Sequence, residues 1–302
     1  VVSGLVEIRL RSRVSAAELE EKVGKILTPS DINIQLTGPA LVRKPNGKVL
    51  AVYLPGSLAD EMTPEVYEVL HSLRKEITMN RGLASGSLRV QRGSQNRTYS
   101  KAVPSTIVGA IDPGGVYKYC RLTAWTGENL PQWQKLHPLL RTVAANLEQY
   151  VPDRYGNQLA AAQASRPEWV VPGTPFSTVT VNNSYPTGVH TDKGDLEDGF
   201  STIACLRRGS YTGGVLAFPE YRVGVDLHDG DLILMDAHEW HGNTAMVCEC
   251  GNTLRTCCET CGAERISMVS YFRTRVQNCG TFEDELGRAR ARREKTEKAS
   301  DL

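Results

Sequence analysis

The chain has 302 residues, 40% of them hydrophobic and 23% charged, and a formal net charge of +1. That length buries a substantial core, as one large domain or a domain with extensions, and the near-zero charge excludes a histone-like polycation. No apolar run approaches the length of a transmembrane helix, so no membrane partner is expected. The start Val1-Val2-Ser3 shows neither Met nor a signal peptide and reads as a processed chain in an intracellular setting, a microbial cytoplasm or a nucleus.

In chain order, Ser15-Ala16-Ala17-Glu18 is a capping box that opens a short helix toward Ile26. Alternation at Ile32 to Ile34 and Val49 to Val52 predicts strands, with Pro45-Asn46-Gly47-Lys48 as a hairpin turn. Thr63-Pro64 starts a helix whose Val66, Val69, Leu70, Leu73 and Ile77 form one apolar stripe. Residues 81–101 carry Arg81, Arg89, Arg92, Arg97 and Lys101 without a single acid, and their glycines and serines predict a mobile basic loop. Such a loop suits phosphates, with salt-sensitive and sequence-independent affinity; a plain solvated loop is the alternative. A further helix is expected near Pro138 to Tyr150, with Leu139, Leu140, Val143 and Leu147 inward, and strands dominate after residue 175. Phe282 to Leu302 alternates acid and base and reads as an exposed helix or frayed tail. The expected organisation is an N-terminal α/β extension over 1–100 with its basic loop at 81–101, a core over 101–281, and a charged tail over 282–302. The helices are read as buttresses of the sheet.

The chemistry concentrates in three places. His190 and Asp192 stand in Val189-His190-Thr191-Asp192-Lys193-Gly194-Asp195, and far downstream Gly230-Asp231 leads through a hydrophobic strand to His241-Gly242-Asn243. Two imidazoles and a carboxylate make a facial triad, the ligand set of non-heme Fe(II) oxygenases, which leaves one face of the metal open. His238 is the rival for the distal position, His228 reads as a surface residue, and His71 and His137 as structural ones. Next, Glu264 to Phe272 alternates as a half-buried strand, with Arg265 and Ser267 on one face. A guanidinium fork beside a hydroxyl suits the far carboxylate of a dicarboxylic keto acid.

Five of the eight cysteines, Cys248, Cys250, Cys257, Cys258 and Cys261, form a Cys-rich insertion at 248–261; Cys120, Cys205 and Cys279 are scattered. A disulfide framework belongs to small secreted domains, so these thiols are read as unbridged. C-x-C and C-x-x-C pairs suit a structural Zn site. Its ligands are Cys248, Cys250, Cys261 and either Cys257 or Cys258, with a scattered Cys or a His as the other choice.

The order H-x-D, distal His, R-x-S resembles the Fe(II)/2-oxoglutarate dioxygenase superfamily. The run Thr178 to Asp195, and Gly213-Gly214-Val215-Leu216-Ala217-Phe218-Pro219 ahead of the Gly-Asp strand, resemble its TET/JBP branch over roughly residues 100 to 280. The resemblance implies an α+β fold with a double-stranded β-helix (jelly-roll) core. It implies iron on His190, Asp192 and His241, since relatives place the distal ligand about ten residues after the Gly-Asp. It also implies 2-oxoglutarate on Arg265 and Ser267, molecular oxygen as co-substrate, and DNA with 5-methylated pyrimidines as partner. Asp195 then falls at a base-reading position and Tyr271 beside the target base, while Arg273 departs from the pattern, where several relatives carry a His. A carboxylate at 195 accepts from the amino group of cytosine and repels the carbonyl of thymine; capping the Lys193-Gly194 turn or pairing with a lysine is the other role for Asp195. The expected activity is hydroxylation of 5-methylcytosine in DNA, with further oxidation as an extension. The alternatives are a thymine hydroxylase and, in a different class, a zinc-braced DNA-binding protein with a vestigial oxygenase site.

Overall fold

The computed structural model describes residues 4–86, 89–92, 95–98, 100–115, 117–257 and 261–300. They fall into two units, one of Val1–Thr106, Val181–Lys193 and Thr202–Val269, the other of Ile107–Thr180, Gly194–Ser201 and Ser270–Leu302.

Two sheets carry most of the strands. In the larger, the strands lie in the order Val6–Arg9, Ala40–Arg43, Val49–Leu54, Leu232–Met235, Ser201–Arg208, Glu264–Tyr271, Thr178–Asn183, Val103–Ile111 and Ile77–Thr78. In the smaller, Gly242–Asn243, Leu216–Phe218 and Val223–Val225 pair antiparallel, and Ile34–Leu36 adds in parallel. Val42, Leu50, Ile203, Ile233 and Met235 of the larger sheet pack against Leu36, Leu216, Phe218, Val223 and Val225 of the smaller. One apolar core is thus closed between two sheets, as a jelly roll requires.

Local signals explain the ends of the elements. Ser15 and Glu18 cap each other's backbone at the start of the helix Ala16–Lys22. Thr63 accepts from the Val66 amide ahead of the helix Pro64–Ser72, which buries Val66, Val69 and Leu70. The apolar stripe stops at Leu73. Ile77 lies in a strand and is exposed, because the helical period ends with Ser72. Asp231, buried after the Gly230 turn, accepts from the Tyr53 hydroxyl at 2.7 Å and from the amides of Gly56 and His228 at 2.8 and 2.7 Å. Its role is to anchor the strand Leu232–Met235.

Where a mobile basic loop was expected, Arg89–Arg92 and Gln95–Thr98 pair as an antiparallel hairpin. The Gly93-Ser94 link has hairpin composition, a signal outweighed in the sequence by the glycines around it. The side chains of Arg89, Arg92 and Arg97 lie outside the described residues.

In the second unit, Ala110 and Ile111 pair with Leu122 and Arg121. The helices Leu130–Lys135, His137–Tyr150 and Pro152–Gln163 follow, each with Pro in its first turn. His137–Tyr150 buries Leu139, Leu140, Val143 and Leu147, as its periodicity predicts. The C-terminal helix Phe282–Ser300 is anchored by buried Glu285, which accepts from the amides of Cys120 and Gly280, both at 2.8 Å. Cys120 and Cys279 are joined by a disulfide across 159 residues, with Cα atoms 5.8 Å apart. The expectation of unbridged thiols fails here, since their proximity is created by folding and leaves no trace in spacing. Among the described residues no helix is long and apolar enough to cross a membrane.

A buried ion pair ties the N-terminal strands to the turn before His241. Lys44, just past the strand Ala40–Arg43, donates to Asp236 at 2.9 Å and to Glu239 at 2.7 Å. Burial opposes its charge, and these two carboxylates outweigh burial and raise its pKa. Lys44→Met leaves Asp236 buried without its cation, a change that costs about 3–5 kcal/mol. Urea unfolding should show a loss of that size, against a small one for an exposed control such as Lys48→Met.

Candidate active site

His190 and His241 meet through their backbones. The amide of His190 donates to the carbonyl of His241 at 2.9 Å, and the amide of His241 returns the bond at 3.0 Å. Such a reciprocal pair sets two side chains next to each other, and the imidazole centroids are 4.4 Å apart. Glycines permit the approach. A Cβ on Gly188 would stand 2.6 Å from the Gly24 carbonyl oxygen and 2.7 Å from that of Leu83; on Gly242 it would meet the Val189 backbone at 3.1 Å. Asp192 is held by its amide, which donates to Ala237 at 3.0 Å.

The three side chains converge. His190 Nε2 is 3.5 Å from Asp192 Oδ1, and His241 Nε2 is 3.8 Å from Asp192 Oδ2. All three ligand atoms lie within 4.8 Å of one another. His190 Nδ1 donates to the Gly188 carbonyl at 2.7 Å and His241 Nδ1 to that of Glu239 at 2.9 Å. A carbonyl accepts only from a protonated nitrogen, so each Nε2 keeps its lone pair toward the shared centre. Burial, then the neighbouring His190, push the His241 pKa down to about 4. Burial opposes the Asp192 charge, but the facing His190, then His241 and Arg81, prevail and hold its pKa below the ordinary range. Two neutral imidazoles and one carboxylate facing a common point fit Fe(II). His238 bonds instead to Asp236 at 3.3 Å and lies outside this cluster.

The triad opens on a cleft of about 350 Å³ lined by Asn80, Arg81, Leu83, Lys193 and Trp240 beside His190 and Asp192. Arg81 was read in the sequence as part of the basic loop at 81–101, and the other four were not singled out as site residues, though Lys193 carried a usable signal, charge next to the motif.

Arg265 and Ser267 are both buried on the strand Glu264–Tyr271. The Arg265 backbone is clasped by Ser184, whose amide donates to its carbonyl at 2.7 Å and whose hydroxyl accepts from its amide at 3.3 Å. Ser184 has φ of 51°, an unusual conformation for a residue with a side chain. The Arg265 stem passes Gly214, whose carbonyl accepts from Asn243, two residues past His241. Among the described residues the Arg265 guanidinium has no carboxylate or hydrogen-bond partner, and the hydroxyl of Tyr211, within reach of its charge, has none either. A buried cation demands an anion, and a dicarboxylic keto acid supplies one.

Asp195, Tyr271 and Arg273 lie in the second unit. Tyr271 shares a hydrogen bond of 3.0 Å with Thr180. Asp195 accepts from the Ser201 hydroxyl at 3.0 Å and pairs through its backbone with Arg273. The Arg273 guanidinium is held by one oxygen of buried Asp112, whose other oxygen takes Arg275 at 2.9 Å.

Back in the first unit, Cys248, Cys250, Cys257 and Cys261 form a second cluster, with sulfur atoms within 4.8 Å of one another. Four thiols so placed can hold a metal ion. Cys258 lies outside the described residues, and Cys205 is buried elsewhere in the core.

Fold and triad together define a jelly-roll oxygenase. The chain belongs to the TET/JBP family, the oxygenase domain of the 2OGFeDO superfamily, which it matches over residues 113–274. That membership implies Fe(II) and 2-oxoglutarate as cofactors, and the His190, Asp192 and His241 cluster could hold the metal. The chain is 29% identical over 276 residues to "Thymine dioxygenase JBP1" of Trypanosoma brucei brucei, covering 90% of this chain and 29% of that protein. It is 28% identical over 238 residues to the protein of that name from Crithidia fasciculata, covering 78% and 26%. It therefore spans under a third of the length of these curated relatives. The structure described as "NgTET1 in complex with 5mC DNA" superposes with a TM-score of 0.59 at 12% identity, covering 96% of this chain and 91% of that one, and shows the shared double-stranded β-helix fold.

Metal affinity should follow the ligand protons. Above its titration at about 4 the His241 imidazole is in its binding form, and acidification through that value puts a proton where the metal binds. Calorimetric titration with Mn(II) should show a steep loss of affinity as pH falls toward that value. His241→Ala should abolish binding at every pH.

Proposed function

We propose that this chain is the oxygenase segment of an Fe(II)- and 2-oxoglutarate-dependent enzyme that hydroxylates the methyl group of a 5-methylpyrimidine in DNA, with 5-methylcytosine as the base. The observation that carries the reading is the triad of His190, Asp192 and His241 in one unit with a buried Arg265 that has no anion among the described residues. Bound iron, with 2-oxoglutarate and oxygen, supplies the oxidising power for a methyl group.

The chain's own residues do the rest. The carbonyls of Gly188 and Glu239 keep both imidazoles in the ligating tautomer, and Asp192 stays ionised between them. Arg265 and Ser267 hold the far carboxylate of 2-oxoglutarate and so fix its orientation. Arg81 and Lys193 put positive charge on the cleft beside the triad, where a DNA phosphate is neutralised. A methyl carbon in a stacked duplex cannot reach a buried centre, so the target nucleotide is flipped out. Asp195 reads the cytosine amino group as an acceptor, with Tyr271 alongside the base.

A thymine substrate is the second reading. The names of the curated relatives favour it, as does the charge of Arg273 acting beside Asp195, which suits a carbonyl better than an amino group.

Nucleoside mass spectrometry, after incubation with Fe(II), 2-oxoglutarate and duplex DNA containing both bases, should give hydroxymethylcytosine, absent with His190→Ala. Hydroxymethyluracil alone would move the substrate to thymine and end the role given to Asp195. Turnover of 2-oxoglutarate without any oxidised base would overturn the DNA assignment. Separately, Arg265→Ala loses a charge-assisted contact of about 1.5–3 kcal/mol. The KM for 2-oxoglutarate should rise by roughly 10- to 100-fold on that scale, in a steady-state assay of succinate release.

A further inference from the structure

The insertion between His241 and Arg265 contains a site that the oxygenase chemistry does not use. We propose that Cys248, Cys250, Cys257 and Cys261 bind one structural zinc ion in a closed all-thiolate site, with Cys257 and not Cys258 as the fourth ligand.

Geometry is the first support. With Zn–S bonds of ~2.3 Å, a tetrahedral site separates its sulfurs by about 3.8 Å. Cys250 and Cys257 are 4.0 Å apart, Cys248 and Cys257 are 2.9 Å apart, and all four lie within 4.8 Å of one another. Every sulfur is in reach of every other, which is the arrangement of one shared centre and not of two separate disulfides.

The backbone around the first two ligands is already folded for the purpose. Cys248 donates its amide to the Asn252 carbonyl at 2.9 Å, and Gly251 donates to the Cys248 carbonyl at 2.9 Å. Gly251 closes this turn at φ of 80°, where a side chain would be strained. The Asn252 side-chain amide is 3.5 Å from the Cys250 sulfur and donates to it. Amide donors to sulfur stabilise the thiolate a metal requires.

Among the described residues the insertion has little apolar packing to keep it folded. Its satellite core consists of Tyr211, Met246, Cys248 and Leu254, with Cys257, Cys261 and Ala263 packed against it. Between residues 249 and 263, Leu254 is the one large aliphatic side chain buried among the described residues. A single leucine does not offset the conformational entropy of ordering such a segment, whereas a thiolate-bound zinc does. Placement gives the site its consequence. Cys248 follows His241 by seven residues and Cys261 precedes Arg265 by four, so the ion closes the loop between the distal triad residue and the buried arginine.

The test is metal analysis of the full chain purified without chelator. Mass spectrometry of the digested protein should find one zinc per chain, lost in Cys250→Ser and Cys257→Ser and retained in Cys258→Ser. After exchange into Co(II), the wild type and Cys258→Ser should show sulfur-to-cobalt charge-transfer bands with tetrahedral ligand-field bands, both missing in Cys257→Ser. Should the serine variants fail to fold, stepwise mercurial titration of the wild type should release the zinc in step with four thiols. Iron in place of zinc, a disulfide between any two of the four cysteines, or zinc retained in Cys257→Ser and lost in Cys258→Ser would overturn the assignment.

Discussion

The oxygenase site depends on a pair of peptide hydrogen bonds. His190 and His241 exchange amide and carbonyl at 2.9 and 3.0 Å, and this joins a segment before the strand Ser201–Arg208 to one after Leu232–Met235. The imidazoles then stand side by side because their backbones do, with no choice of rotamer required to bring them near. Gly188 and Gly242 make the contact sterically possible, and a methyl group at either would press on neighbouring backbone. The ligand geometry is thus written into main-chain pairing, which is harder to perturb than side-chain packing.

The second organising constraint is electrostatic. The protein buries the Arg265 charge and gives it no anion among the described residues, although it compensates another buried cation, Lys44, with Asp236 and Glu239. On the proposed function, the contrast is between a charge kept for stability and one kept for a ligand. An uncompensated guanidinium weakens the empty fold and strengthens the loaded one, the usual exchange between stability and function at a site.

Much of the fold and site was legible because it obeys short-range rules. The capping box at Ser15, the Pro64 start and the apolar face of His137–Tyr150 are local signals with local causes. The clustering of His190, Asp192 and His241 was legible because few residue sets perform the chemistry they suggest, and the burial of Arg265 and Ser267 on one strand because a strand alternates with period two. What escaped was set by distance along the chain. Cys120 meets Cys279, and Lys44 meets Asp236, only through the tertiary fold. The cleft residue Asn80 belongs to the same class, being brought beside the triad by folds of the chain that no window contains, whereas Trp240 adjoins His241 in the sequence. The hairpin at Arg89–Arg92 and Gln95–Thr98 failed differently, since its glycines outweighed a weak alternation.

The strands upstream of residue 113 bear on how this enzyme can be cut. Val49–Leu54 pairs along the whole of Leu232–Met235, and Ile34–Leu36 covers one side of Val223–Val225. The family match starts after both. A fragment trimmed to that match would bare two apolar strand edges, ready templates for pairing between molecules. Its expected fate is aggregation, so the smallest workable catalytic unit is larger than the stretch by which the family is recognised.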